Sequence, residues 1–357
     1  MIRFLIQKIR FIIWVGVIFR HVTANAIDIN SAQILYTGNY LTNTISAYII
    51  NPQSGILVPL DIGLVKSSIE PADITILDGK FLYTVGWSDS KIQIYNIQKD
   101  GKLIQESSII NTGFGPWGMY FDQANNHIYI SNFYSNIISI LNIDHNDGSL
   151  KKANPTSVPT GAGITGLAFN PLDSRFLYAV NYEGNNIYKY EIDPISGTLQ
   201  KQKIFIAGAA PRSIRIVNSH AYVTNQQSKN ISMFEIDKTT GDLLPMQPAT
   251  IGTGAGPIGT KVEISGKYFY IASFNENMIY MYEIQSNGLL KPLSTPKISS
   301  GVGPRGFVED KYGHIYVSNL QDSSISMYQV ESETGILRPM NPSKIATNSA
   351  IAMAITP

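Results

Sequence analysis

Two arginines and a tryptophan share one position of a repeated segment, and their side chains suit the binding of an anion. Arg212, Arg305 and Trp117 each follow a small residue and a proline. A guanidinium group offers fixed donors to carboxylate or phosphate, and an indole offers a face for stacking. Thr165 occupies the same position of another repeat. We therefore predict that these four residues bind a ligand.

An enzyme would also need a carboxylate near these residues. The best candidate is Glu183, in a loop of sequence Asn-Tyr-Glu-Gly-Asn, where it would act as a general base on water. Two alternatives remain open: Glu183 is an ordinary solvated glutamate, and each arginine pairs with an acid (Glu183, Glu263 or Glu309) and only borders a channel. Further acids are expected on the same face of the fold as these residues, the face that surrounds the mouth of the channel. They are Glu70, Asp73, Asp89, Glu276 and Asp322.

Residue types for other chemistries are scarce. Cysteine is absent, which excludes a thiol nucleophile and thiolate metal sites. His127, His220 and His314 stand at one repeat position, two residues before a tyrosine, which favours a local turn role over catalysis. The chain therefore has few histidines suited to a catalytic triad or to a histidine-rich metal site, and we predict neither a metal nor a cofactor.

The elements that position these side chains are seven repeats, each marked by an apolar-Tyr-apolar strand. A period of this size, carried by strands, is typical of a circular array of sheets. At intervals of 44 to 49 residues, the tyrosines are Tyr36, Tyr83, Tyr129, Tyr178, Tyr222, Tyr270 and Tyr316.

Each repeat reads as four short strands. The tyrosine strand is followed by a second strand with strict apolar and polar alternation, as at 231–236, which indicates one face on a core. A hairpin turn ending in Gly-x-Leu then leads to an outer strand, and glycine suits a turn position with positive φ. A glycine- and proline-rich link precedes a fourth, innermost strand. The turn glycines are Gly55, Gly101, Gly148, Gly197, Gly241, Gly288 and Gly335.

The two ends of the chain predict how the ring closes. The first repeat begins at its tyrosine strand without an innermost strand, and residues 349–356 read like the missing one. We therefore predict an all-β fold, a seven-bladed β-propeller of four-stranded antiparallel blades, closed by the C-terminal strand completing the first blade. Such closure removes the open sheet edge.

The N-terminus predicts export. A basic start, an apolar run at 11–19 and an Ala-Asn-Ala site at 24–26 are typical of a secretory signal peptide. We assign residues 1–26 to that signal and 27–357 to the propeller, with a secreted or periplasmic location and no membrane insertion after cleavage; an uncleaved signal anchor is the alternative. The remaining 23 Lys and Arg stand against 26 Asp and Glu, which argues against nucleic-acid binding.

The segment 221–225, Ala-Tyr-Val-Thr-Asn, contains the four letters that name the YVTN repeat family. All seven repeats resemble the lactonase-type seven-bladed propellers, including the bacterial 6-phosphogluconolactonases. In those members the innermost strand often begins Gly-Pro-Arg-His. Here the arginine of that motif matches at Arg212 and Arg305, but Ser213 and Gly306 follow in place of the histidine.

From these features we predict an exported, monomeric propeller that binds a small anionic ligand or a protein partner at the channel-mouth face without strong catalysis. Whether the chain is an enzyme stays open at this point. The first alternative, implied by the resemblance, is a lactone hydrolase in which Glu183 activates water and Arg212 and Arg305 stabilise the oxyanion. The second alternative is a structural repeat protein of the cell envelope or surface.

Overall fold

The computed structural model describes residue 29 and residues 31–122, 126–171 and 173–357. In these ranges the chain forms 28 β-strands and no helix, so none of its elements is a helix long and apolar enough to cross a membrane. The predicted signal peptide, residues 1–26, lies outside the described residues. The all-β class predicted from the alternating pattern is confirmed.

The strands come in seven groups of four. In chain order, the first fourteen are β1 (Ile34–Asn39), β2 (Thr44–Ile50), β3 (Leu57–Lys66), β4 (Pro71–Leu77), β5 (Phe81–Gly86), β6 (Lys91–Ile97), β7 (Leu103–Asn111), β8 (Pro116–Asp122), β9 (His127–Asn132), β10 (Ile137–Ile143), β11 (Leu150–Pro159), β12 (Ile164–Phe169), β13 (Phe176–Asn181) and β14 (Asn186–Ile192). The others are β15 (Leu199–Ile206), β16 (Pro211–Val217), β17 (His220–Asn225), β18 (Asn230–Ile236), β19 (Leu243–Gly252), β20 (Pro257–Val262), β21 (Tyr268–Ser273), β22 (Met278–Ile284), β23 (Leu290–Ser299), β24 (Pro304–Glu309), β25 (His314–Asn319), β26 (Ser324–Val330), β27 (Leu337–Ala346) and β28 (Ala350–Ile355).

Each group is one antiparallel sheet, or blade. Blades 2 to 7 take four consecutive strands each, beginning with β4–β7 and ending with β24–β27. Blade 1 has the order β28-β1-β2-β3, in which Leu35 pairs with Ile355 and Tyr36 with Ala354. The C-terminal strand therefore completes the first blade, which confirms the predicted seven-bladed ring and its closure.

The tyrosine strand is the most buried strand of each blade. In β5, β9 and β13, for example, every residue is buried, because neighbouring blades pack on both faces. The outermost strands, such as β23, are largely exposed. A strand buried on both faces favours a run of consecutive apolar residues rather than strict alternation, and these segments contain such runs, as at 81–83 and 176–180.

The tyrosine hydroxyls tie each blade to its neighbour. Burial raises the pKa of these phenols, so they stay protonated and donate hydrogen bonds. Each accepting carbonyl belongs to the glycine of the Gly-x-Leu turn in the next blade, at 2.6 to 2.8 Å. Blade 7 donates to blade 1 through Tyr316 and Gly55, so this contact also runs around the whole ring.

The turn positions require glycine for two reasons: the backbone has a positive φ, and a side chain of the neighbouring blade packs against it. Gly288 has φ +79°, and a Cβ added there would lie 2.2 Å from the ring of His220. His127 and His314 pack in the same way on Gly197 and Gly55. The three histidines thus begin their tyrosine strands and contact the neighbouring blade, where Phe, Tyr or Ile serves in the other blades.

Every innermost strand contains a β-bulge near its start. The register shifts past Trp117 between Pro116 and Gly118, and past Arg212 between Pro211 and Ser213. Equivalent shifts occur in the other five blades. A bulge leaves one residue outside the ladder and re-aims its side chain. In this fold the bulge stands where the strands reach the central channel.

Candidate functional site

A cavity of about 400 Å³ lies where the seven innermost strands converge, and all seven contribute to its wall. We call it the axial cavity. Its charged lining residues are Asp73, Arg212, Arg215 and Arg305. Three guanidinium groups facing one carboxylate give the cavity an excess of positive charge, which favours an anionic ligand or an anionic reaction intermediate.

The entrance layer of the axial cavity consists of bulge residues. The guanidinium carbons of Arg212 and Arg305 lie 4.6 and 4.7 Å from the ring centre of Trp117. Arg212 also lies 4.6 Å from the ring centre of Tyr182, and its Nε donates to Gln226 at 2.7 Å. The aromatic faces partly compensate the two charges and hold both guanidinium groups in place.

Among the described residues, these arginines have no carboxylate partner at salt-bridge distance. Within the described part of the chain, none of the ion pairs involves Arg212, Arg215 or Arg305. Glu309, one of the acids considered as a partner, instead contacts Lys261 at 3.0 Å. The alternative in which each arginine is neutralised by an acid is therefore not the arrangement in this structure.

Burial and mutual repulsion act on the pKa of the arginines. Burial, followed by the charge of Arg212, lowers the pKa of Arg305 to about 10, so Arg305 remains charged at neutral pH. Burial also lowers the pKa of Arg212 and of Arg215. A buried charge without an opposite charge is costly in free energy. A bound anion would recover part of that cost.

A deeper layer of the axial cavity is centred on Asp73. One carboxylate oxygen of Asp73 accepts from the backbone N–H of Ile74, and the other accepts from that of Met119, both at 2.9 Å. Tyr120 and Arg215 line the same layer. Asp73 belongs to blade 2 and Arg215 to blade 5, so the ring brings together residues that are far apart in the chain.

The environment of Asp73 makes it a suitable general base. Burial raises the pKa of its carboxyl group to about 6, while the two backbone donors and the charges of Arg305 and Arg215 act in the opposite direction. A group with this pKa is mostly ionised at pH 7 yet accepts a proton more readily than an ordinary aspartate. Burial also raises the pKa of Tyr120 to about 12, so its phenol is neutral.

The structure separates the four residues predicted to bind a ligand. Trp117, Arg212 and Arg305 line the axial cavity together. Thr165 is a bulge residue as well, but it is fully buried, and its hydroxyl donates to the carbonyl of Pro211 at 3.2 Å. Its side chain therefore joins blades 4 and 5 instead of bordering the cavity.

Glu183, the carboxylate predicted as general base, is exposed in the loop between β13 and β14 and is not among the residues that line the axial cavity. The sequence predicts Asp73 on this face without assigning it a role. It does not identify Arg215 or Tyr120 as candidate site residues. No sequence signal marks these three, because a bulge interrupts the alternation that would otherwise tell which residues face the axis.

A family model described as "Lactonase, 7-bladed beta-propeller" matches residues 19–165, 111–257 and 245–354. Among curated relatives, the 6-phosphogluconolactonase of Pectobacterium carotovorum is 22% identical over 321 residues, covering 86% of this chain and 94% of the relative. The 6-phosphogluconolactonase of Blochmanniella floridana is 27% identical over 286 residues, covering 76% and 82%.

Solved structures show the same fold. A periplasmic gluconolactonase of Pseudomonas aeruginosa superposes with a TM-score of 0.78 at 17% identity, covering 92% of this chain and 99% of the other. A protein from Lactobacillus plantarum gives a TM-score of 0.80 at 18% identity, covering 91% and 99%. At these identities the likeness concerns the arrangement of blades and not the chemistry of the cavity.

Proposed function

Because the chain belongs to the family of lactonase seven-bladed β-propellers, we propose that it hydrolyses a lactone in its axial cavity. The observation that carries the proposal is the placement of Asp73, a carboxylate with a raised pKa, in one cavity with three arginines that have no ion-pair partner among the described residues. The relatives named 6-phosphogluconolactonase favour this alternative over binding without catalysis.

The proposed reaction uses Asp73 as the proton carrier. Asp73 accepts a proton from water while the water oxygen bonds to the lactone carbonyl carbon, and the carbonyl oxygen becomes an oxyanion beside a guanidinium group. When the bond from that carbon to the ring oxygen breaks, the proton on Asp73 passes to the ring oxygen. The product is a hydroxy acid that ionises at neutral pH, and the arginines hold its carboxylate.

The arginines would supply electrostatic stabilisation. Negative charge develops on the carbonyl oxygen only as the tetrahedral intermediate forms, and preorganised donors aimed at that oxygen lower the barrier. Arg305 and Arg215 both act on the Asp73 carboxyl electrostatically, so each is placed near the reacting centre. Lactone hydrolysis in this form needs no metal or cofactor.

Export is part of the same proposal. The basic, apolar and Ala-Asn-Ala pattern of residues 1–26 supports a secreted or periplasmic location. Phosphorylated sugar intermediates are cytoplasmic, so an exported enzyme would meet unphosphorylated lactones. Cell fractionation tests the location, and recovery from the cytoplasm alone would contradict it. N-terminal sequencing of the exported protein tests cleavage, which an intact Met1 would contradict. We also propose that the protein is a monomer, which sedimentation tests.

Hydrolysis is tested by incubating the purified protein with glucono-δ-lactone, its 6-phosphate and γ-butyrolactone between pH 5.5 and 7. We expect ring opening above the spontaneous rate with a sugar lactone, and loss of that activity in Asp73→Asn. Binding of gluconate without turnover of any lactone would contradict the proposal and support the binding-only alternative. Pulldown from an envelope extract addresses the structural-protein alternative.

A further inference from the structure

An aromatic cluster continues the wall of the axial cavity onto the channel-mouth face. Trp87 makes an edge contact with Trp117 of the cavity at 5.6 Å between ring centres. It also packs on Phe133 and Tyr134, at 5.8 and 5.0 Å. Phe114 lies in the adjoining link, and its N–H donates to the hydroxyl of Ser135 at 2.6 Å. We call Trp87, Phe114, Phe133 and Tyr134 the aromatic shelf.

Two members of the shelf expose most of their surface. Tyr134 is 65% exposed and Phe114 is 74% exposed. The Tyr134 ring is fixed against the backbone of Gly115, where an added Cβ would lie 2.6 Å from the ring. Exposed apolar side chains held in one geometry beside a cavity are typical of a ligand surface.

The exposed pair is also what distinguishes blades 2 and 3 from the others. The loop position of Trp87 and Phe133 carries a large side chain in most blades, so those two rings belong to the scaffold. In contrast, the link position of Phe114 is alanine in three other blades, and the loop position of Tyr134 is Gln227 in blade 5. The repeated scaffold therefore does not require an aromatic ring at either position, and its needs do not explain why Phe114 and Tyr134 stand on one side of the mouth.

We propose that the aromatic shelf binds the second sugar ring of a disaccharide-derived lactone, while the lactone ring occupies the axial cavity. This inference rests on the proposed function. The apolar C–H face of a sugar stacks on aromatic rings, and its hydroxyls need polar groups at the edge of those rings. The exposed Ser88, which donates to the carboxylate of Glu70, and the hydroxyl of Tyr134 supply such groups.

The position of the second ring follows from the continuity of shelf and cavity. Because Trp117 lies in the cavity wall and contacts Trp87, a ligand leaving the cavity on this side passes directly onto the shelf. The shelf occupies the side of blades 2 and 3 only, so it suits a linear extension of the substrate in one direction.

The test compares two acids that cannot be hydrolysed: gluconate, which has one sugar unit, and cellobionate, which carries a second ring. Isothermal titration calorimetry on the wild-type protein should give an affinity about tenfold higher for cellobionate, in line with the contribution of stacking on aromatic rings. The double variant Phe114→Ala, Tyr134→Gln should lose this preference and keep its gluconate affinity.

The two substitutions copy residues that other blades already carry at the same positions, Ala209 and Gln227, so the variant should fold. Tyr312→Gln, which removes an exposed aromatic ring from the opposite face, serves as the matched control and should keep the preference. The inference is overturned if the wild-type protein binds cellobionate no more tightly than gluconate, or if it binds neither detectably. It is also overturned if the double variant keeps the preference for cellobionate. Failure of lactone hydrolysis alone leaves this measurement unaffected and bears only on the proposed function.

Discussion

At the scale of single residues, Asp73 and Glu183 show how environment separates two carboxylates on one face. Asp73 is held by two backbone N–H groups inside the cavity, whereas Glu183 is exposed in a loop. A general base needs both reach to the substrate and a pKa near the working pH. Asp73 lines the cavity and has a pKa raised to about 6, which suits the role proposed for it, and the sequence could not distinguish it from the other acids of the face.

The first prediction concerns pH. Above its pKa of about 6, Asp73 is ionised and can accept a proton; below that pH it is protonated and cannot. We therefore expect kcat/KM for lactone hydrolysis to fall as pH drops through about 6. Asp73→Asn should lower kcat by about 10²–10⁴-fold and remove this pH dependence. Initial rates by pH-stat, corrected for spontaneous hydrolysis, provide the measurement.

Glu183→Gln is the matched control for that prediction, because it makes the same chemical change in a carboxylate outside the cavity. Its rate and pH profile should equal those of the wild-type protein. If Glu183→Gln abolished turnover while Asp73→Asn did not, Glu183 would be the base and the assignment to Asp73 would be wrong.

The second prediction separates activity from stability at Arg305. Its buried charge is disfavoured by desolvation and by Arg212, as the lowered pKa shows. Arg305→Gln should therefore leave the melting temperature unchanged or raise it, while kcat/KM falls about 10²–10³-fold through loss of oxyanion stabilisation. Differential scanning calorimetry and initial rates are the two measurements.

Arg175→Gln is the control for Arg305, since Arg175 is an exposed arginine paired with Asp173 at 2.6 Å. It should change neither quantity appreciably, because exposed pairs contribute about 0–1 kcal/mol. A strong loss of stability in Arg305→Gln would instead assign Arg305 a structural role.

At the scale of elements, the tyrosine strand and the Gly-x-Leu turn form one unit that is repeated seven times. The hydroxyl of Tyr178 donates to the carbonyl of Gly241 at 2.6 Å, and the ring of Phe176 packs on the same glycine. The sequence motif thus encodes contacts between blades as well as the strand itself. These strands are scaffold, and the residues that line the axial cavity belong to the innermost strands.

The third prediction tests this unit with glycine substitutions. Gly241 has φ +69°, and a Cβ there would lie 2.5 Å from Phe176. Gly241→Ala should lower the free energy of unfolding by about 2–4 kcal/mol, from backbone strain and overpacking. Chemical denaturation measures the change. Gly252→Ala, where an added Cβ meets nothing within 4 Å, should have little effect; equal losses in both variants would show that the turn contact does not matter.

The bulge is the element that the sequence did not reveal. The glycine- and proline-rich links predicted where innermost strands begin, and those starts are confirmed at Pro116, Pro211, Pro257 and Pro304. The extra residue that follows is recognisable only from the pairing register. The bulge allows Arg212 to face the axis, whereas the hydroxyl of Thr165, at the same position, donates to the carbonyl of Pro211.

At the scale of the whole molecule, the ring depends on the junction between blade 7 and blade 1. β28 supplies the innermost strand of blade 1, and Tyr316 donates to Gly55 across the junction. Asp310 at this junction contacts both His314, at 2.7 Å, and Tyr316, at 3.1 Å. The pairing of β28 in blade 1 and the contact of Tyr316 with Gly55 therefore both close the ring.

The fourth prediction concerns that closure. Deleting residues 350–357 removes β28, opens the edge of β1 and takes away the part of the cavity wall formed by Ile351. We expect loss of a cooperative thermal transition and self-association through the exposed edge. Deleting Pro357 alone, an exposed residue beyond β28, should preserve the transition. A truncated protein that melts cooperatively as a monomer would contradict the role assigned to β28.

The sequence by itself determined the number of blades, the strands of each blade, the closure by the C-terminal strand and the position of the arginines at the channel mouth. These follow from local patterns: alternation, turn glycines and prolines, repeated at a fixed period. Only the tertiary structure decided that Asp73, Arg215 and Arg305 share one cavity. They come from blades 2, 5 and 7, and the ring and its bulges set their directions, so no local pattern of residues could place them together.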